Sequence, residues 1–223
     1  QELGFEIVLI QQTVEGSLLG RHALLDCPPS LFEGAAVWIT QPRFAVGVNW
    51  TPAALQSLLD KLSLSSILVV DEAADQNLGT TDFRMLLRAA TDRIKIIRTK
   101  GLFKGIGLNG LRLSAITHSS SCRQLVSEYL DTVGGSLDSY SLQSAAHLAD
   151  NPAHYKMLVN CASLQVKSRR KLAETAALGT NIIVAPLENS YIGSLFFPLR
   201  GEGEWPERTE KFLKRCSELR FPV

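Results

Sequence analysis

Hydrophobic positions along this chain follow two alternating rhythms. Short, nearly continuous apolar runs at residues 5–10, 35–40 (AAVWIT), 66–70 (SILVV) and 94–99 (IKIIRT) predict buried strands. Between them the spacing lengthens to the helical period. Leu55, Leu58, Leu59 and Leu62 form one apolar stripe behind Thr51-Pro52, a side-chain cap with proline at the first helical position. Further helices are expected over residues 81–90, 121–132, 139–149, 152–178 and 206–219. Residues 111–117 (LRLSAIT) read as extended, and 181–186 and 193–199 as two more strand candidates. Strands separated by helices predict an α/β fold of three layers, α/β/α, around a mostly parallel sheet. No internal repeat or linker interrupts the pattern, so residues 1–223 are expected to form one domain.

Composition narrows the function without naming it. The 223 residues are 45% apolar and 20% charged, which excludes a disordered tail or a disulfide miniprotein. The net charge of +1 builds no broad positive field, so neither nucleic acid nor an anionic membrane is an expected partner. No apolar run is long enough to span a bilayer. The chain starts at Gln1 with no charged leader; no signal peptide is expected, and the missing Met reads as a piece of something longer. Cys27, Cys122, Cys161 and Cys216 are scattered, as thiols in a reducing, cytoplasmic setting would be. His22, His118, His147 and His154 are scattered too, so no metal site is expected.

The glycine-rich stretch supports two readings. Gly105-Ile106-Gly107-Leu108-Asn109-Gly110 fits G-x-G-x-x-G after a strand. A dinucleotide site needs the last glycine to open a helix that receives a pyrophosphate. Here the pattern runs instead into an alternating, strand-like segment, which argues against a nicotinamide site. The second reading includes Lys104. The run from Lys104 to Arg112 (KGIGLNGLR), with Val69-Val70-Asp71-Glu72-Ala73 and the Thr40–Gly47 turn (TQPRFAVG) before it, carries three motifs in order and register. Together they resemble the lysine-to-arginine segment, the "VDEAY" strand end and the "PxNPTG" turn of fold type I pyridoxal-phosphate-dependent aminotransferases. The nearest flavour is histidinol-phosphate aminotransferase and threonine-phosphate decarboxylase.

That resemblance implies pyridoxal 5'-phosphate as cofactor and an amino acid or amino-acid phosphate as substrate. It also implies a homodimer with its active sites at the interface. Lys104 takes the place of the Schiff-base lysine, Asp71 of the acid that keeps the pyridine nitrogen protonated, and Arg112 of the phosphate-binding arginine. A guanidinium suits that bidentate task. A free lysine titrates at about 10.4, so such a lysine needs desolvation or cationic neighbours to become nucleophilic. Arg200 is the weak candidate for binding the substrate carboxylate.

The sequence departs from the family pattern at several polar contacts. Phe44 and Val46 stand where the turn carries asparagine and threonine, and Ala74 replaces the tyrosine after "DEA". Gly101 and Phe103 replace hydroxyl residues three and one positions before the lysine. Each lost charge-assisted bond would cost about 1.5–3 kcal/mol of binding. The family's earlier phosphate cradle and ring-stacking aromatic would precede Gln1. Two functions therefore stand side by side: a pyridoxal-phosphate enzyme acting through Lys104, and an inactive relative kept as an interaction or dimerisation module.

Overall fold

The computed structural model describes residues 6–10, 22–43, 47–75, 86, 88–89, 94–108, 110–111, 113–133, 138–180, 182–184, 195–196 and 204–219. Its centre is a four-stranded sheet in the order β1-β2-β3-β4. The strands are β1 (Ala36–Thr40), β2 (Ile67–Glu72), β3 (Lys95–Gly101) and β4 (Ser114–His118). The first three pair in parallel and β4 pairs antiparallel to β3, so the α/β class and the mostly parallel sheet are as the sequence predicts.

Alternation along the strands decides what each face carries. Val37 and Ile39, Leu68 and Val70, and Ile96 point to one face and are buried there. Helix α1 (Pro52–Lys61) covers that face with Leu55, Leu58 and Leu59, joined by Leu62 and Phe32. Its start follows from Thr51, whose Oγ1 accepts the Ala54 N–H at 3.1 Å, and from Pro52 at the first position. Of the helix expected over 81–90, only Leu86, Arg88 and Ala89 are described; all three are helical, and Leu86 joins the same core. The opposite face is more open: Trp38, in the middle of β1, is 65% exposed.

Two expectations are corrected. Residues 6–10 do not form a strand; Ile7 is 82% and Leu9 83% exposed. A continuous apolar run needs cover on both faces, and nothing among the described residues provides it. The extended segment after the glycines begins at Ser114 rather than Leu111, because β3 ends at Gly101, whose partner is Ser114.

The remaining helices keep close to their expected limits: α2 (Arg123–Val133), α3 (Ser139–Asp150), α4 (Pro152–Ala177) and α5 (Glu204–Glu218). Asp138 caps α3 by accepting the Ser141 hydroxyl at 2.7 Å and the N–H groups of Ser141 and Tyr140 at 2.8 and 3.2 Å; the hydroxyl bond first, and then the two backbone bonds, hold its carboxyl below the usual range. The short antiparallel pair β5 (Ile183–Val184) and β6 (Leu195–Phe196) lies within the two late strand candidates. Ala176, Ala177, Ile182, Phe212 and Cys216 form a second, separate core between α4, β5 and α5.

Candidate active site

The site lies at the carboxyl ends of the parallel strands, where open α/β sheets collect ligands. The register puts Thr40, Asp71 and Thr99 side by side on the open face. Asp71 is half-buried, and its Oδ1 accepts the Ala73 N–H at 2.9 Å and the Thr99 hydroxyl at 3.4 Å. These two bonds fix the carboxylate on the face that the core does not fill.

Lys104 follows two residues after Leu102. Phe103 is buried, and the chain makes a single tight turn over Lys104–Ile106, closed by Gly107 with φ 80°. There the left-handed backbone favours glycine, and the Gly107 N–H donates to the Lys104 carbonyl at 3.1 Å. The next regular element is β4 and no helix opens at Gly110, so the dinucleotide reading lacks its anion-binding helix end. Helix α4 packs beside the Lys104 turn.

On the covered face the same strand ends hold a buried charge network that sequence reading missed. Arg98 bonds Glu72 Oε2 through Nε at 2.7 Å and Nη2 at 2.5 Å. Lys100 bonds Asp75 Oδ2 and lies 4.0 Å from Glu72 Oε2. Glu72, Asp75 and Lys100 are buried, so two cations offset two anions out of water. The signal was present as charges at alternate inward positions, but only the strand register pairs Val70 with Arg98 and Glu72 with Lys100. Tyr155, in the first turn of α4, has its hydroxyl pushed up by burial and then by the Asp75 charge.

The two lysines are thereby sorted. Lys100 is buried and committed to carboxylates, whereas the half-buried Lys104 makes no ion pair among the described residues. Arg112 and Arg200 lie outside the described residues, as do Phe44 and Val46.

The end of β1 borders the same edge. The Gln41 N–H donates to the Asp71 carbonyl at 2.8 Å, and Gln41 Oε1 accepts the Trp50 N–H at 2.8 Å. His22 is buried and stacks on Trp50 with ring centres 3.9 Å apart. Burial, and then the positive charge of Arg43, lower its pKa to about 4, so it is neutral at neutral pH.

These residues fit the ring side of pyridoxal phosphate. Asp71 offers a positioned carboxylate for a protonated ring nitrogen, and Lys104 an amine on the following loop. The phosphate side is poorer. A Cβ at Gly101 would lie 2.8 Å from the Ala73 carbonyl oxygen, so this strand end has no room for the hydroxyl residue of the family pattern. Phe103 fills the other hydroxyl position with a buried ring.

No family model and no curated protein matches the chain. Solved structures do. Aspartate aminotransferase from Thermus thermophilus with maleate is 14% identical, with a TM-score of 0.54 over 70% of this chain and 41% of that one. Cystalysin from Treponema denticola, which contains pyridoxal 5'-phosphate, is 18% identical, with a TM-score of 0.60 over 76% and 45%. An aminotransferase from Staphylococcus aureus is 20% identical, with a TM-score of 0.57 over 81% and 47%. The chain thus spans under half the length of each. Over 70–81% of its own length it carries the α/β fold of the pyridoxal-phosphate-dependent aminotransferases.

Proposed function

We propose that this chain is an aminotransferase-like, pyridoxal-phosphate-dependent protein. Its single domain, residues 1–223, would act in the cytoplasm on an amino acid or amino-acid phosphate, as a homodimer. The observation that supports the reading is that Asp71 ends β2 and Lys104 stands on the loop after β3, both at the carboxyl edge of a sheet with the aminotransferase fold. When bound, the cofactor supplies an electron sink for negative charge at the substrate Cα. Lys104 would hold it covalently through Nζ, then carry a proton to or from the substrate Cα. Asp71, kept in place by Ala73 and Thr99, would accept a charge-assisted hydrogen bond from the protonated ring nitrogen and so keep it protonated. Arg112 would hold the phosphate and Arg200 the substrate carboxylate.

One observation favours the second reading, a non-catalytic relative serving as an interaction or dimerisation module. Gly101 and Phe103 stand where the family pattern has its two hydroxyl residues, and the Ala73 carbonyl closes the space at Gly101. Titration with pyridoxal 5'-phosphate, followed by borohydride reduction and peptide mass spectrometry, separates the two. The first reading expects a saturable absorbance band and a reduced adduct on Lys104, both lost in Lys104→Ala. Folded protein with no adduct on Lys104 supports the second.

A further inference from the structure

The corner between α3 and α4 brings together two histidines that the sequence separates by seven positions. His147 lies in the last turn of α3 and His154 in the first turn of α4, and Asn151 joins the two helices. Pro152 at the start of α4 breaks the helical run here, so the second helix leaves in a new direction. The imidazoles meet edge to face with centres 5.6 Å apart, and His154 Nδ1 lies 3.4 Å from His147 Nε2. Asn151 Nδ2 holds His147 in place, bonding its carbonyl at 2.7 Å and lying 3.5 Å from its Nδ1.

We propose that His147 and His154 chelate a divalent transition ion of the imidazole-binding kind, Zn2+, Ni2+ or Cu2+. The argument is geometric. With metal–nitrogen bonds of about 2.0–2.1 Å and tetrahedral angles, two ligand nitrogens stand about 3.3–3.4 Å apart. The observed separation of 3.4 Å already has that bite. Both rings are exposed, so an ion reaches them without opening the core. Imidazole is a preferred ligand for these ions. Without metal, one ring nitrogen donates to the other. With metal, each imidazole stays neutral, His147 carries its proton on Nδ1, and Asn151 turns its amide oxygen toward that proton. Among the described residues no group of three or more His, Cys, Asp or Glu surrounds an ion, so water or an exogenous carboxylate completes the coordination. The ion would pin the corner between the two helices.

The test is calorimetric titration of the whole chain with NiCl2, beside His147→Ala, His154→Ala and a Cys161→Ser control. One ion per chain is expected, with affinity down about tenfold or more in each histidine variant and unchanged in the control. Histidine variants that bind like the parent, or binding lost only with Cys161, would overturn the proposal. Since both histidines are exposed, the variants should fold, and circular dichroism checks this. Cu2+ electron paramagnetic resonance reads the ligands directly. Two coupled imidazole nitrogens in the parent and one in each variant support the chelate; one or none in the parent overturns it.

Discussion

The two faces of the central sheet come from the same three strands, yet they handle charge in opposite ways. On the covered face, residues 72, 98 and 100 are charged, with Glu72 and Lys100 buried and Arg98 half-buried. Each charge there meets an opposite charge, because an isolated buried ion costs several kcal/mol or more. On the open face Asp71 needs only the Ala73 N–H and the Thr99 hydroxyl, since it keeps partial contact with solvent. The lysines repeat the contrast four residues apart. Lys100 is spent on structure, while Lys104 stays on a loop at the ligand edge. One face pairs its charges out of water, and the other leaves a carboxylate partly open to solvent.

Substitutions on the two faces should therefore differ in size as well as in kind. The largest effect is expected on the covered face: Lys100→Met leaves Asp75 buried without its cation, at a cost of about 3–5 kcal/mol. A drop in the urea midpoint at constant slope measures it. A value near zero would mean that the network is solvated and the two faces are alike.

Gly101→Ala comes next. Its Cβ would meet the Ala73 carbonyl oxygen at 2.8 Å, backbone that cannot swing aside, and about 1–3 kcal/mol is expected. If the cost is instead nil, position 101 can hold a side chain, and the objection to a hydroxyl there disappears.

Acid sharpens the comparison through His22, which packs at the β1 end of the covered face. Its pKa is lowered to about 4 by burial and by Arg43, so the unfolded chain binds the proton first as pH falls. Stability from this group is intact above about pH 6.5 and lost as pH drops towards 4. At pH 5.5 the loss is about 1.4 kcal/mol relative to pH 8. His22→Phe keeps a ring on Trp50 and should flatten that part of the stability–pH curve; an unchanged curve means that His22 titrates normally.

The smallest effect belongs to the open face. Trp38→Thr keeps a good strand former at an exposed position and should stay within about 0.5 kcal/mol. A loss above 1 kcal/mol would show that this face is covered in solution.

Much of the architecture was legible from the chain. Thr51-Pro52 announces a helix start because it acts locally, through a side-chain oxygen and a fixed φ. The strands at 36–40, 67–72 and 95–101 follow from short β-rich runs bounded by polar residues. The run at residues 6–10 looked equally convincing and is not a strand, because strand formation needs a partner and local sequence cannot supply one. Motif order offered Asp71 and Lys104 as candidates, and the structure sets the first at the end of β2 and the second on the loop after β3. The charge network was not legible, since pairing Glu72 with Arg98 requires knowing which residues β3 sets beside β2. The His147–His154 pair was hidden for a related reason: seven positions is no helical neighbour spacing until a corner at Asn151 folds one helix back on the other.

The sequence alone determined the rhythm of elements and the α/β class, because periodicity and capping are properties of neighbouring residues. Tertiary structure decided which face of the sheet is dry, which lysine is locked in ion pairs, whether position 101 can hold a side chain, and which histidines meet. Each of these depends on contacts between segments 7–28 residues apart or on the exclusion of water by a packed layer, and neither is a property of any stretch of chain taken by itself.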